Sequence, residues 1–276
     1  MMMNSPTEMA KIAQDGAVYK ALKKPLYAFI SAILAGAFIA IAFVFYTTVK
    51  TGAGNMPWGI ANLIGGIVFS LGLMLVVVFG TDLFTSTTLT IIAKASGKIS
   101  LTQMLKNWGV VYFGNFVGGL VIVALMWFAG QYMADHGQWG LTILKVSQHK
   151  LHHTWVEAFS LGIMCNVMVC AGVWMSYAGK SLTDRTLILI LPIAMFVASG
   201  FEHCVANMFM VPMGILIQHC ASPEFWSAIS IDPAQFADLT IGHFINSNLI
   251  PVTLGNIVGG SFFIGLVQWF LYIRKH

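Results

Sequence analysis

Charge is what this sequence has least of. Only 9% of its 276 residues are Asp, Glu, Lys or Arg, whereas 58% are hydrophobic; an ordinary soluble domain carries roughly 25% charged residues. So few charges cannot cover a water-facing surface, which excludes a soluble globular domain and leaves lipid as the main solvent. Cysteine is scarce as well. Cys165, Cys170, Cys204 and Cys220 show no metal-ligand spacing and read as small buried hydrophobes. A glycine-rich phosphate loop, a nucleophile elbow and a zinc-protease helix motif are all missing. An enzyme is therefore not expected, and neither is a cofactor or a metal.

What the chain does have is long apolar runs. Crossing the hydrocarbon of a bilayer takes about 20 apolar residues at roughly 1.5 Å per helical residue. Runs at 26–49, 58–80, 107–133, 158–178, 186–219 and 244–273 reach that length, which predicts an all-α polytopic membrane protein with six crossings in one domain. Ser5-Pro6-Thr7-Glu8 has the form of a helix start, with Ser5 as cap and Glu8 reaching back. The segment after it is either a short helix lying on the membrane surface or a frayed tail. With the N-terminus inside, Lys11, Lys20, Lys23, Lys24, Lys94, Lys98, Lys106, Lys180, Arg185, Arg274 and Lys275 fall on one side, against Lys50, Lys145 and Lys150 on the other. That asymmetry predicts cytoplasmic termini. The net charge of +4 follows from topology and gives no reason to expect nucleic-acid binding.

The chain also repeats itself. Gly114-Asn115-Phe116-Val117-Gly118-Gly119 recurs as Gly255-Asn256-Ile257-Val258-Gly259-Gly260, and Gly80-Thr81-Asp82 is matched by Gly200-Phe201-Glu202. An odd number of crossings between the copies implies two inverted three-helix halves, 26–133 and 158–273. Flanking them are an N-terminal segment 1–25, an outer loop 134–157 and a tail 274–276. The glycine–acid sites fall where a continuous helix fails. Residues 186–219 would make one helix of roughly 50 Å against a ~30 Å hydrocarbon layer, and Pro192, Gly200 and Pro212 interrupt it. The second and fifth crossings are thus predicted to be broken at mid-membrane depth, where irregular backbone survives only if protein buries it or water reaches it. Broken helices at corresponding places point to a transport path.

Glu202 and His203 are consecutive, so on a helix their side chains diverge by about 100°. One lines the path and the other supports it. Glu202, after Ser199-Gly200, is expected to accept hydrogen bonds from amides freed by the break, and Asp82 to do the same in the other half. His203 is left for the path, able to titrate near neutrality; Thr85 offers it a hydroxyl from the opposing break. No lysine or arginine lies inside the apolar runs. Half-helix N-termini with an imidazole give weak, adjustable attraction that suits a small monovalent anion. Phe69, Leu73, Phe84, Val169 and Phe196 surround these groups, as packing or as walls. His149-Lys150-Leu151-His152-His153 lacks acidic partners for a transition-metal site. No asparagine precedes a proline, so the Asn-Pro-Ala triplets of an aquaporin are absent.

Val77-Val78-Phe79-Gly80-Thr81-Asp82-Leu83-Phe84-Thr85-Ser86 resembles the first signature of the formate/nitrite transporter family. Gly162-Ile163-Met164-Cys165-Asn166-Val167-Met168-Val169-Cys170 resembles the second, although Ala171-Gly172 departs from its usual end. With Phe201-Glu202-His203-Cys204-Val205-Ala206-Asn207-Met208, the resemblance spans nearly the whole chain. It implies an aquaporin-like fold, a pentamer in the bacterial inner membrane, and one path per protomer for formate or, alternatively, for nitrite or hydrosulfide. Carried onto this sequence, the central site is His203 with Thr85, and Asn166, Asn207 and Asn256 supply polar contacts nearby. The hydrophobic constrictions are Phe69, Leu73, Leu83, Phe84, Val169 and Phe196. Lys150 matches the outer vestibule, and the N-terminal segment matches the part linked to gating by pH.

Overall fold

The computed structural model describes residues 3–274, so Lys275 and the last position of the expected tail lie outside the described residues. No strand occurs among them. The chain opens with α1 (Pro6–Leu22), and Ser5 caps it by a reciprocal box with Glu8. The segment is therefore a helix from its first turn. It packs Ala10, Ala13 and Ala17 inward, and Gln14 binds Ser96 while Lys98 reaches Asp15.

Next come α2 (Pro25–Lys50) and α3 (Trp58–Phe79), followed by the short α4 (Phe84–Thr87), a 3-10 turn at Thr88–Thr90, and α5 (Ile91–Ala95). After α6 (Leu101–Phe128), α7 (Gln138–Leu151) fills most of the expected outer loop. Trp139, Ile143, Leu144 and Leu151 form its buried face, at helical spacing in the sequence, and it lies against the helix 204–220. The chain continues through α8 (Trp155–Ser176), α9 (Leu182–Ala198), α10 (Cys204–Cys220) and α11 (Pro223–Ile229). It ends in α12 (Ile241–His243), α13 (Ile250–Val258) and α14 (Val267–Tyr272), joined by π-helical turns at Phe244–Leu249 and Gly259–Leu266. Five helical stretches are long and apolar enough to cross a membrane, and exposed Leu, Ile and Phe side chains cover their outward faces.

Two interruptions stand out, at Gly80–Leu83 and at Ser199–His203. Gly80 and Gly200 both adopt the left-handed region, at φ 65° and 73°, where a Cβ would cost energy. Each closes its helix in the same way. Thr81 N donates to Val76 O and Gly80 N to Val77 O; Phe201 N donates to Phe196 O and Gly200 N to Val197 O. This paired pattern is the Schellman end. Leu83 and His203 then run extended before the next helix starts.

The repeated glycines hold the helices close. A Cβ on Gly118 would fall on the Ile33 carbonyl of α2, and one on Gly255 would fall on the Phe159 carbonyl of α8. Backbone cannot step aside as a side-chain tip can. Gly255→Ala is expected to cost about 1–3 kcal/mol, as overpacking does, and to lower the thermal midpoint of the detergent-solubilised protein. Gly54→Ala, with nothing near its Cβ position, is expected to match the parent in the same melt.

Candidate functional site

The start of α10 carries His203, and the start of α4 carries Thr85. The imidazole does two things at once. Its Nδ1 accepts the Ala206 backbone N–H at 3.1 Å, capping α10, and its Nε2 lies 3.1 Å from Thr85 Oγ1. A nitrogen that accepts an amide proton carries none of its own, so the neutral ring holds its proton on Nε2. Nε2–H therefore donates to Thr85 Oγ1. Among the described residues no other partner takes the Thr85 hydroxyl proton. Phe196 stacks on the imidazole with ring centroids 6.0 Å apart, and both His203 and Thr85 are buried.

A cavity of about 280 Å³ runs from Lys50 and Lys145 past His149, Lys150 and Phe201 to His203, with Phe43, Tyr46 and Asn62 also on its walls. Burial, followed by the neighbouring His153 and Lys150, holds the His149 imidazole below its usual pKa. On the far side of His203 only about 10 Å³ remains, among Ile39, Phe69, Leu73, Leu83, Val169, Ile193 and Phe196. That is at the lower limit for a single water. Phe69 and Phe196 meet edge to face at 6.1 Å and border both spaces. Of the expected constriction residues, Phe84 stands apart from this ring. Its side chain packs on Tyr112 and Trp108, with centroids at 4.9 and 6.4 Å.

The breaks themselves are held by asparagines. Asn115 Oδ1 accepts Phe84 N at 2.8 Å, while its Nδ2 donates to Asp82 O and Ala32 O. Asn256 repeats the arrangement. Its Oδ1 accepts Cys204 N at 3.0 Å, and its Nδ2 donates to Glu202 O and Gly162 O. Each amide thus closes the gap between two half-helices and ties it to a third helix. The Glu202 and Asp82 carboxylates do not take the freed amides, contrary to expectation, because Asn256, Asn115 and the His203 ring already do.

Glu202 instead accepts from side chains: Lys150 at 2.8 Å, Asn207 at 2.6 Å and Asn248 at 3.1 Å, with His153 Nε2 at 3.8 Å. Asp82 pairs with Lys23, and its backbone N–H donates to Ser31 Oγ. One buried acid therefore sits at each break, each met by a lysine from outside the long apolar helices. Asn166 donates to Thr85 O, Thr88 Oγ1 and Asn256 O. Asn166, Asn207 and Asn256 all spend their amide protons on the protein. His152 pairs with Asp238, and no cluster of metal-binding side chains occurs among the described residues.

The model of the formate/nitrite transporter family matches residues 7–270. The chain belongs to that family. It is 60% identical to the formate channel FocA of Haemophilus influenzae over 267 residues, covering 97% of this chain and 94% of that one. To FocA of Escherichia coli K12 it is 59% identical over 271 residues, 98% of this chain and 95% of the other. Among solved structures, a pentameric formate channel with formate bound superposes with a TM-score of 0.87 at 55% identity, covering 91% of this chain and 98% of that one. An ion channel of the same family superposes at 0.80 with 26% identity, covering 96% and 98%. Within the family frame this chain is a helical integral membrane protein of a bacterium, and not an enzyme.

Three contributors escaped the sequence reading: Asn115, Asn248 and the α7 helix that delivers Lys150. The repeated Gly-Asn pair was the available signal for Asn115. A buried ion pair is costly to half-remove, because the survivor stays charged and unpaired. Lys150→Met alone is expected to destabilise by about 3–5 kcal/mol, and Lys150→Met combined with Glu202→Gln to regain most of that loss. Denaturation of the purified protein in a double-mutant cycle reads both; additive losses would break the coupling.

Proposed function

We propose that the chain conducts formate and related small monovalent anions across the bacterial inner membrane, as a pentamer with one path in each protomer. The observation that carries this reading is the Nε2–H of His203, held against Thr85 at the floor of a lysine-lined cavity and just before an apolar closure. The names of the two FocA relatives and of the superposed structure, each a formate channel, supply the substrate. The basic asymmetry supports cytoplasmic termini, and on that reading the cavity opens outward and α1 lies inside. We also read α9 and α10 as one broken crossing, and α3 with α4 and α5 as another. That completes six crossings in two inverted halves within one channel domain.

An anion reaching the cavity meets Lys50 and Lys145 before it loses water. At the floor it meets neutral donors only, the free Thr85 hydroxyl beside the Nε2–H that donates to it, and no permanent cation, since Lys150 is committed to Glu202. Such donors replace part of the hydration without forming a deep well, and a shallow well lets the ion leave. Beyond them Phe69, Phe196, Leu73, Leu83 and Val169 must part for passage. A charge at mid-bilayer costs at least a few kcal/mol, so a proton taken up before the apolar ring would speed transit. The His203 ring can supply one only after Nδ1 gives up the Ala206 amide. Proton-coupled passage thus requires opening the first turn of α10, whereas passive conduction does not.

Formate uptake into proteoliposomes across pH 5–8 tests the assignment. His203→Asn keeps a side-chain acceptor for the α10 cap but cannot reach Thr85, and is expected to slow formate by about tenfold, the worth of one hydrogen bond to a charged group. Wild-type rate and pH response in both His203→Asn and His203→Ala would remove His203 from the mechanism. The same vesicles with nitrite, hydrosulfide and acetate in parallel rank the substrates, and formate is expected to lead.

A further inference from the structure

At the end of the bundle that carries α1, a cavity of about 170 Å³ opens between the start of α2 and the first turns of α6. Three independent features meet there. First, α2 is 26 residues long and has no side-chain cap. Pro25 has no N–H, and among the described residues no acceptor takes the first-turn amides of Leu26 and Tyr27. Free amides at the positive end of a long helix are donors for an anion.

Second, Asn107 on the opposite wall is 6% exposed. Its Nδ2 donates to Lys20 O at 2.9 Å, but its Oδ1 is buried with no partner. A buried acceptor left empty calls for a donor from a ligand. Third, Lys23 and Lys106 line the cavity, and Lys24 lies between the lining residues Lys23 and Pro25 in the chain. Lys23 is paired with Asp82, while Lys24 and Lys106 are exposed and have no acidic partner among the described residues. Leu26, Tyr27 and Leu105 beside them are half exposed or more.

We propose that this cavity is a binding site for the headgroup of an anionic phospholipid that carries a hydroxyl, of the phosphatidylglycerol kind. The phosphate meets the α2 amides and Lys106, a headgroup hydroxyl donates to Asn107 Oδ1, and the acyl chains lie along Leu26, Tyr27 and Leu105. A zwitterionic choline headgroup fits poorly, since it brings no hydroxyl for Asn107 and adds a cation among lysines. The leucines favour a lipid over free phosphate. A lipid bound there wedges α1, α2 and α6 together beside the Lys23–Asp82 pair.

Native mass spectrometry of the intact detergent-solubilised protein tests the site. Equal amounts of dioleoyl phosphatidylglycerol and dioleoyl phosphatidylcholine are offered, with glycerol 3-phosphate in a separate arm. Phosphatidylglycerol is expected to be retained selectively. Lys106→Gln is expected to weaken that retention by about fivefold, the effect of one lysine near an anionic lipid surface. Asn107→Asp, which sets a carboxylate against the headgroup, is expected to weaken it further, and Lys94→Gln to change nothing. Lys106 is exposed, so its variant tests the site even if Asn107→Asp folds poorly. Equal retention of both lipids, or a Lys106→Gln protein that behaves as wild type, would overturn the proposal. Glycerol 3-phosphate bound as tightly as the lipid would overturn it too, by showing a free-phosphate site.

Discussion

A helix cannot stop in the middle of an apolar bundle without leaving amides and carbonyls that have nowhere to go. This structure stops two of them, at Gly80–Leu83 and Ser199–His203, and everything at the site follows from how those groups are satisfied. Asn115 and Asn256 do most of it. Each amide accepts from the start of one half-helix and donates to the carbonyl of the acid before it. A carboxamide accepts and donates from two adjacent atoms in a single plane without carrying charge. An acid in its place would satisfy the amide and repel the carbonyl, and a lysine would do the reverse.

This division of labour frees the acids and fixes the histidine. Because Asn256 holds the first freed amide of α10, His203 can take the Ala206 N–H with Nδ1 and still turn Nε2 toward Thr85. The cap sets the tautomer, and the tautomer sets which group faces Thr85. Protonation of the ring and integrity of the helix start are therefore one event. Under the proposed function, any pH dependence at His203 would belong to the first turn of α10 as much as to the imidazole.

The breaks were legible in the sequence because their causes are local. A glycine followed two residues later by an acid, at the end of one apolar run and inside another too long for the bilayer, marks a left-handed helix end and a polar group in one reading. The lysine partners were not legible, since Lys150 lies 52 residues from Glu202 and arrives on α7, a segment whose scattered polar residues looked like a loop. Its inward face was written in Trp139, Ile143, Leu144 and Leu151, at helical spacing. The Gly-Asn repeat was legible as a duplication, and its glycines pack α6 on α2 and α13 on α8. The asparagine beside them was the more informative residue. Nothing in its neighbourhood along the chain says that its amide spans a gap formed by two other segments.

If the proposed path is right, the two acid–lysine pairs bear on its selectivity through what they take away. Lys150 reaches the cavity wall near His203, and unpaired it would hold an anion strongly in a dry, low-dielectric place. Glu202, with Asn207 and Asn248 satisfying its remaining lone pairs, cancels that field. Asp82 and Lys23 cancel each other at the opposite break. On the proposed path this leaves one free neutral donor at the narrowest polar point, the threonine hydroxyl, since the Nε2–H already donates to Thr85 Oγ1. It would attract a carboxylate-sized anion over a hydrogen-bond distance and little farther. A site built so binds weakly and releases quickly, and it offers a multiply charged ion too little to replace its larger hydration. On the proposed reading, discrimination by charge comes from the cancelled lysines as much as from the neutral groups that remain.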